Sequence, residues 1–297
     1  MTESHAPLND QHFLQRFGKF IRFSHTVFAL PFALSAMITA TEGNLFPPQL
    51  GWILGCVVSA RTVGMCFNRL VDWEFDKSNP RTADRHTLVS KPQGWSILVL
   101  SAAVAAFCAS KLNTLCFALS PLMLALVCFY SLTKRFTAFS HFFIGLALAQ
   151  APMGAWAAVR GSLLDAPPIL LASGVLLWTF GFDLIYSTLD TQHDQRLGLF
   201  SYPSRRGIPS ALRLAKTLHA IAALTFIAFG ITAKLGAPYH VASTLSAVAL
   251  LFEHRLAAKA DPGAINQAFF TVNAIVSVVL LLGVILSFAL APAPVTP

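Results

Sequence analysis

Charge is what this chain has least of. Only 11% of its 297 residues are Asp, Glu, Lys or Arg, while 55% are hydrophobic and the mean hydropathy is +0.63. So poor a supply of charge excludes an ordinary soluble domain and points to an integral membrane protein. Acidic residues are the scarcer sign, 13 against 21 basic ones, for a formal net charge of +8. That excess does not describe a nucleic-acid binder, because the cations interrupt apolar segments at intervals instead of forming a patch on a soluble core. The five cysteines, Cys56, Cys66, Cys108, Cys116 and Cys128, make no CxxC pair and have no accompanying histidines. They read as small buried apolar residues, and neither a disulfide nor zinc is implied. Glu3, Asp10, Arg16 and Lys19 precede the first apolar run and no small-residue cleavage site follows them, so a removable signal peptide is not expected.

What the chain does have is apolar runs. About 20 mostly apolar residues suffice for a membrane span, and nine runs qualify, at roughly 21–41, 49–71, 95–110, 114–132, 141–160, 168–188, 212–233, 237–252 and 268–290. The third and eighth are the shortest. Alternate loops divide the cations unequally: 17 of the 21 Lys and Arg fall in one set, only Lys111, Arg160 and Lys234 in the other, and Arg61 lies inside a span. The positive-inside rule then places the N-terminus in the cytoplasm and, after nine crossings, the C-terminus outside. The expected architecture is all-α: a polytopic bundle of nine transmembrane helices in one domain over 1–297. Residues 1–20 form a cytoplasmic N-terminal segment and 291–297 a short proline-rich tail.

The most informative stretch is Asn68-Arg-Leu-Val-Asp72-Trp-Glu-Phe-Asp76, where the second run ends. A spacing of four stacks Asn68, Asp72 and Asp76 on one helix face. Carboxylates that close repel each other, so a cation between them or protonation of one is required, and a divalent metal is the economical answer. Glu74 points to another face. The sixth run repeats the pattern, with Asp183, Tyr186, Asp190 and Asp194 at its end. Three aspartates at a helix C-terminus oppose the helix dipole, which again suggests a bound metal.

Both acidic ends close even-numbered runs and so emerge on one side. Around them lie Lys77, Arg81 and Arg85 in the first loop, and Tyr130, Lys134 and Arg135 after the fourth run. Arg61, two turns before Asn68, must find an anion or a carbonyl at its depth; a salt bridge to another helix and contact with an anionic substrate both answer. His25 reads equally as a histidine satisfied by a neighbouring helix or as a cavity-lining residue, and Arg22 as a snorkelling one. Asn266, Gln267 and Asn273 read as interhelical hydrogen-bonders. Carboxylates with flanking cations suit Mg²⁺ and a diphosphate, and the apolar bundle beneath suits the chain of a lipid. Such a site can stabilise a departing diphosphate and shelter the allylic cation among aromatic rings until an electron-rich ring attacks it. A secondary transporter coupling Asp and Arg charges is the contrasting reading, but it expects charges near the midplane, where only Arg61 lies deep, and an inverted repeat, which is not evident.

These motifs resemble the UbiA superfamily of intramembrane aromatic prenyltransferases over essentially the whole chain. The likeness rests on NxxxDxxxD at Asn68, Asp72 and Asp76, YxxxK at Tyr130 and Lys134, DxxxD at Asp190 and Asp194, and Arg81-Thr-Ala-Asp-Arg85, which looks like the family's RTAxR loop. The resemblance implies that Asp72, Asp76, Asp190 and Asp194 are the catalytic, Mg²⁺-binding residues. It also implies that Asn68, Arg61, Lys77, Arg81, Arg85, Tyr130, Lys134, Arg135, Asp183 and Tyr186 bind substrate, in a central cavity open to the cytoplasmic side of a bacterial-type inner membrane. The implied substrates are a polyprenyl diphosphate and an aromatic acid of ubiquinone or menaquinone synthesis, 4-hydroxybenzoate or a dihydroxynaphthoate, with no nucleic acid and no obligate protein partner. Other branches of the superfamily prenylate haem, homogentisate, a chlorophyll precursor or a glycerol phosphate. His86-Thr-Leu-Val-Ser stands where the family more usually has a proline-containing stretch, which leaves the acceptor open.

Overall fold

The structure, a computed structural model, describes residues 13–44, 47–79, 82 and 84–291. These residues are helical with no strand, and seven of their helices are long and apolar enough to cross a membrane. The main helices are α1 (Leu30–Ala40), α2 (Pro47–Val71), α3 (Lys91–Leu112), α4 (Thr114–Thr133), α5 (Ser140–Arg160), α6 (Ala166–Ser187), α7 (Ile208–Thr232), α8 (Ala237–Ala257) and α9 (Asn273–Ala289). Every expected run is therefore helical. Two fall short of the requirement for a span: α1 in length, and α8 in apolarity because it carries His240, Glu253, His254 and Arg255.

Local chemistry sets the differences from the expected boundaries. The first run is not one helix, because Arg22 adopts a left-handed backbone at φ 47° and residues Phe23–Phe28 form a 3₁₀ turn. Pro31 then sits in the first turn of α1, where its missing N–H costs nothing. The third helix begins at Lys91 because Ser90 and Gln93 cap each other's backbone and side chain in a capping box. Pro121, inside α4, cannot bond the Phe117 carbonyl, and the Ser120 hydroxyl donates to that carbonyl instead at 2.8 Å. The last helix is entered through Pro262–Gln267 and a π-helical turn at Ala268–Val272.

The helices pack as a ring in which α2 meets α3 and α4, α6 meets α5 and α7, and α8 meets α9. Helix α1 fits against α5 and α9 and is buried over most of its length. Outward-facing apolar side chains such as Leu100, Phe107, Leu224 and Leu251 suit a lipid surround.

Gly145 permits the close approach of α5 to α6, since a Cβ there would stand 2.6 Å from the Leu176 carbonyl oxygen. Gly145→Val is expected to force the two helices apart and cost about 1–3 kcal/mol, typical of overpacking. The check is a lower thermal unfolding midpoint in detergent. Gly51→Ala on the open face of α2, where nothing lies within 4 Å of the added carbon, should not lower it.

Candidate active site

Helix α2 ends at Val71, and Asp72 (φ −95°, ψ 13°) separates it from a short helix at Trp73–Ser78. This turn keeps Asn68 beside Asp72, with Asn68 Nδ2 donating to Asp72 Oδ2 at 3.1 Å, but sends the two aspartates to different partners. Arg135 Nη2 donates to the Val71 carbonyl at 2.7 Å and to Asp72 Oδ1 at 3.3 Å. Asp76 is held by Arg85 Nη1 at 2.9 Å and by Arg69 Nη1 at 3.5 Å. The compensating positive charge that the spacing of Asp72 and Asp76 requires is thus supplied by guanidinium groups. Burial pushes the Asp72 carboxyl above its ordinary range, and Lys134 and Arg135 only partly offset it.

The second acidic end begins where α6 stops at Ser187, followed by a 3₁₀ turn at Thr188–Asp190 and a helix at Thr191–Arg196. Asp190 Oδ1 accepts from Asn79 Nδ2 at 3.2 Å, which ties the two acidic ends together. Asp194 is 2% exposed, and its Oδ2 is buried with no hydrogen-bond partner among the described residues. Lys134, just past α4, stands among them all. Burial works against its charge, but Asp194, Asp183, Asp190 and Asp72 outweigh it and hold the ammonium above its ordinary range.

Asp183 Oδ2 lies 2.6 Å from His141 Nδ1, and the fully buried His141 ring accepts the Tyr202 backbone N–H at Nε2, 3.3 Å away. An amide can only donate, so Nε2 lacks the proton and Nδ1 carries it toward the carboxylate. Tyr186 accepts from Arg22 Nη1 at 3.4 Å and stacks on Phe269 with ring centroids 4.0 Å apart. Arg61 meets backbone carbonyls, not the expected salt bridge to another helix among the described residues: its guanidinium donates to Ile21 O at 3.1 Å and Arg22 O at 2.8 Å, fastening the left-handed turn.

Above this polar end lies a cavity of about 620 Å³. Its wall is mostly aliphatic and aromatic, with Arg61, Tyr130 and Asp183 among its polar members. His25 meets the second of its two readings, lining the cavity, and its ring sits 5.2–5.5 Å from those of Phe28, Phe269 and Phe270. Gln150 also lines the cavity, and its Oε1 is buried without a hydrogen-bond partner among the described residues.

Not every expected residue joins this centre. Lys77 is exposed and lies 3.6 Å from Glu74, which also binds Lys91 at 3.0 Å. Glu74 itself is exposed and turned away, as its helical position implies. Arg81 lies outside the described residues. Four contributors escaped the sequence reading: Arg22, Arg69, Asn79 and His141. For Arg69 a signal existed, because a separation of seven residues puts it on the face of Asp76. For Asn79 and His141 there was none, since their partners are remote in sequence. Asn273 does bond across helices, to Trp178 and Glu253, whereas Asn266 bonds Pro262 O in its own helix at 2.9 Å.

Among the described residues no three Asp, Glu, His or Cys side chains form a ready metal cage. The donors nonetheless suit Mg²⁺, which takes one or two carboxylates and completes its octahedron with water and substrate phosphates. The unpartnered Asp194 Oδ2 leaves one such oxygen available.

The profile of the UbiA prenyltransferase family matches residues 29–277. The chain is 28% identical to the 4-hydroxybenzoate octaprenyltransferase of Vibrio atlanticus, over 86% of this chain and 90% of that one. It is 32% identical to the mitochondrial 4-hydroxybenzoate polyprenyltransferase of Arabidopsis thaliana, over 71% of this chain and 53% of that one. A solved UbiA homologue from Aeropyrum pernix superimposes with a TM-score of 0.81 at 31% identity, covering 88% and 97% of the two chains. A homologue from Archaeoglobus fulgidus, solved with DMAPP and Mg²⁺, shares the fold with a TM-score of 0.70 at 17% identity, covering 93% and 100%. A bundle of apolar helices long enough to cross a membrane, two acidic helix ends joined by the Asn79–Asp190 hydrogen bond and a matching profile over most of the chain lead to one conclusion: this protein is a prenyltransferase and belongs to the UbiA prenyltransferase family.

Proposed function

We propose that the protein transfers a polyprenyl group from a polyprenyl diphosphate to an aromatic acid, 4-hydroxybenzoate or a dihydroxynaphthoate. The observation that carries this reading is the placement of the apolar cavity directly against the charged end, with Asp183, Tyr130 and Arg61 in its wall. A lipid diphosphate has that same division, one highly charged end and one long apolar chain. The names of the Vibrio and Arabidopsis relatives favour 4-hydroxybenzoate as acceptor.

Asp72, Asp76, Asp190 and Asp194 would hold Mg²⁺, which when bound supplies positive charge to the diphosphate as it leaves. Lys134, Arg69, Arg85 and Arg135 surround the same region and hold the phosphate oxygens, and Asn68 and Asn79 orient the carboxylates. Loss of diphosphate leaves an allylic cation, which the cavity keeps from water and the rings of Phe28, Phe182 and Phe269 face with π density. The acceptor ring forms the new carbon–carbon bond and gives its displaced proton to a base. Asp183 is placed for that task, its carboxylate oriented by the His141 N–H. In the membrane, the cation-rich loops and both acidic ends face the cytoplasm, with nine crossings that include the shorter α1 and the more polar α8.

Purified protein given polyprenyl diphosphate, Mg²⁺ and 4-hydroxybenzoate is expected to release diphosphate and form a C-prenylated acid, detected by mass spectrometry. Product from another acceptor in a parallel panel would reassign the acceptor, and transport of an anion into proteoliposomes without product would overturn the reading. Chelation of divalent metal should abolish turnover and added Mg²⁺ restore it. Asp72→Ala and Asp190→Ala should each lower kcat/KM by about a hundredfold or more, the scale of losing one charge-stabilising group; intact activity in both would remove these residues from the site.

The neighbouring lysines separate in the same assay. Lys134→Met, which removes the cation among four aspartates, should cost about tenfold or more, whereas Lys77→Met, which frees only the exposed Glu74, should change kcat/KM less than twofold.

A further inference from the structure

Away from the charged end, a second polar network is buried where α6, α7, α8 and α9 meet. Asn273, with no exposed surface, is its centre. Its Oδ1 accepts from Trp178 Nε1 at 2.6 Å, and its Nδ2 faces Glu253 Oε1 at 2.8 Å, Phe269 O at 3.1 Å and Ala268 O at 3.2 Å. The indole is a donor only, so it fixes which way the amide points and leaves the NH₂ for the three acceptors. Glu253 is likewise fully buried, and His219 Nδ1 lies 3.5 Å from its Oε2.

The two carbonyls that Asn273 holds belong to the π turn of Ala268–Val272. A π turn inserts one residue into a helix and leaves carbonyls without their regular partners, so it persists only where other groups satisfy them. The insertion rotates everything before it about the helix axis, by roughly the 100° that one residue subtends. Phe269 rides on that turn. It stacks on Tyr186, meets Phe28 and Phe182 edge-on at 5.4 Å each, and forms part of the cavity wall beside Asp183.

We propose that Asn273 and Glu253 are positioning residues: they hold the π turn that sets Phe269 against Tyr186, and so keep water from the cation formed in the cavity. This inference rests on the prenyl-transfer reading above. A loosened wall would let water add to the cation and lose a proton, converting prenyl diphosphate and water into prenyl alcohol and diphosphate with no acceptor consumed. The side product therefore reports the wall directly.

The test measures the ratio of prenyl alcohol to C-prenylated product, with Mg²⁺ and 4-hydroxybenzoate, in the full-length protein in detergent. Asn273→Leu and Glu253→Leu should each raise that ratio about tenfold, the order expected from slight misplacement of a cavity wall, while the KM for prenyl diphosphate stays within twofold. Glu253→Gln keeps an acceptor for Asn273 and should restore the wild-type ratio. Phe269→Leu should reproduce the rise without touching the network, and it carries the test if Asn273→Leu fails to fold. Product and alcohol falling in parallel at an unchanged ratio in the folded leucine variants, or an unchanged ratio in Phe269→Leu, overturns the inference. Wild-type protein that releases no diphosphate with any acceptor overturns the functional reading instead, so the two failures are distinguishable.

Discussion

Four carboxylates crowded at one end of an apolar bundle must be neutralised, and this requirement organises everything around them. An ionised carboxylate removed from water loses several kcal/mol of hydration unless a cation or hydrogen-bond donors replace it. Here the replacement is distributed. Asp76 takes two arginines, Asp72 an arginine and an asparagine, Asp190 the Asn79 amide, and Lys134 answers the remaining field at the centre. Because these partners come from α2, the segment between α2 and α3 and the loop after α4, and meet carboxylates at the ends of α2 and α6, satisfying the charges also fastens those ends together. On the proposed function, the charges that would meet a metal and a diphosphate are thus the same ones that hold the site in register.

This also explains why the carboxylates are not arranged as a finished metal cage. A closed cage of oxygens would bind a cation without needing substrate, whereas on the proposed function ligands paired with arginines would become available when an incoming diphosphate offers those arginines a better-charged partner. The guanidinium forks around Asp72 and Asp76 suit such an exchange, since they match carboxylate and phosphate geometry equally well.

How much was legible in the sequence follows from how local each feature is. The helical runs and both acidic ends depend on composition and on spacings of three or four residues, and the structure contains them, with seven helices long and apolar enough to cross a membrane among the described residues. Boundaries were misread where a cap or proline decides them, as at Ser90 and Pro31. The straight column of Asn68, Asp72 and Asp76 was overstated because the period argument assumes an unbroken helix, and Asp72 breaks it. Pairings across the bundle, such as Asn79 with Asp190 or His141 with Asp183, leave no trace in either segment alone. Asn273 reads correctly as an interhelical hydrogen-bonder, but its partner Glu253 looks like an isolated acid on an apolar helix until the fold brings the two within 2.8 Å.

The two networks answer different physical needs, and their separation is functional on this reading. The outer one is ionic and can exchange partners with an arriving anion. The inner one is built from an amide, an indole and a buried acid beside His219, with the amide directed at the acid and at backbone, and it has no phosphate-binding fork. Between them lies Phe269, whose backbone carbonyl belongs to the inner network and whose ring touches Tyr186, itself hydrogen-bonded to Arg22 at the charged end. A rigid inner anchor then sets one wall of a cavity whose other boundary must rearrange with each turnover. On that reading the rearrangement that diphosphate exchange requires falls to the ionic network, and the anchor between α8 and α9 can stay fixed.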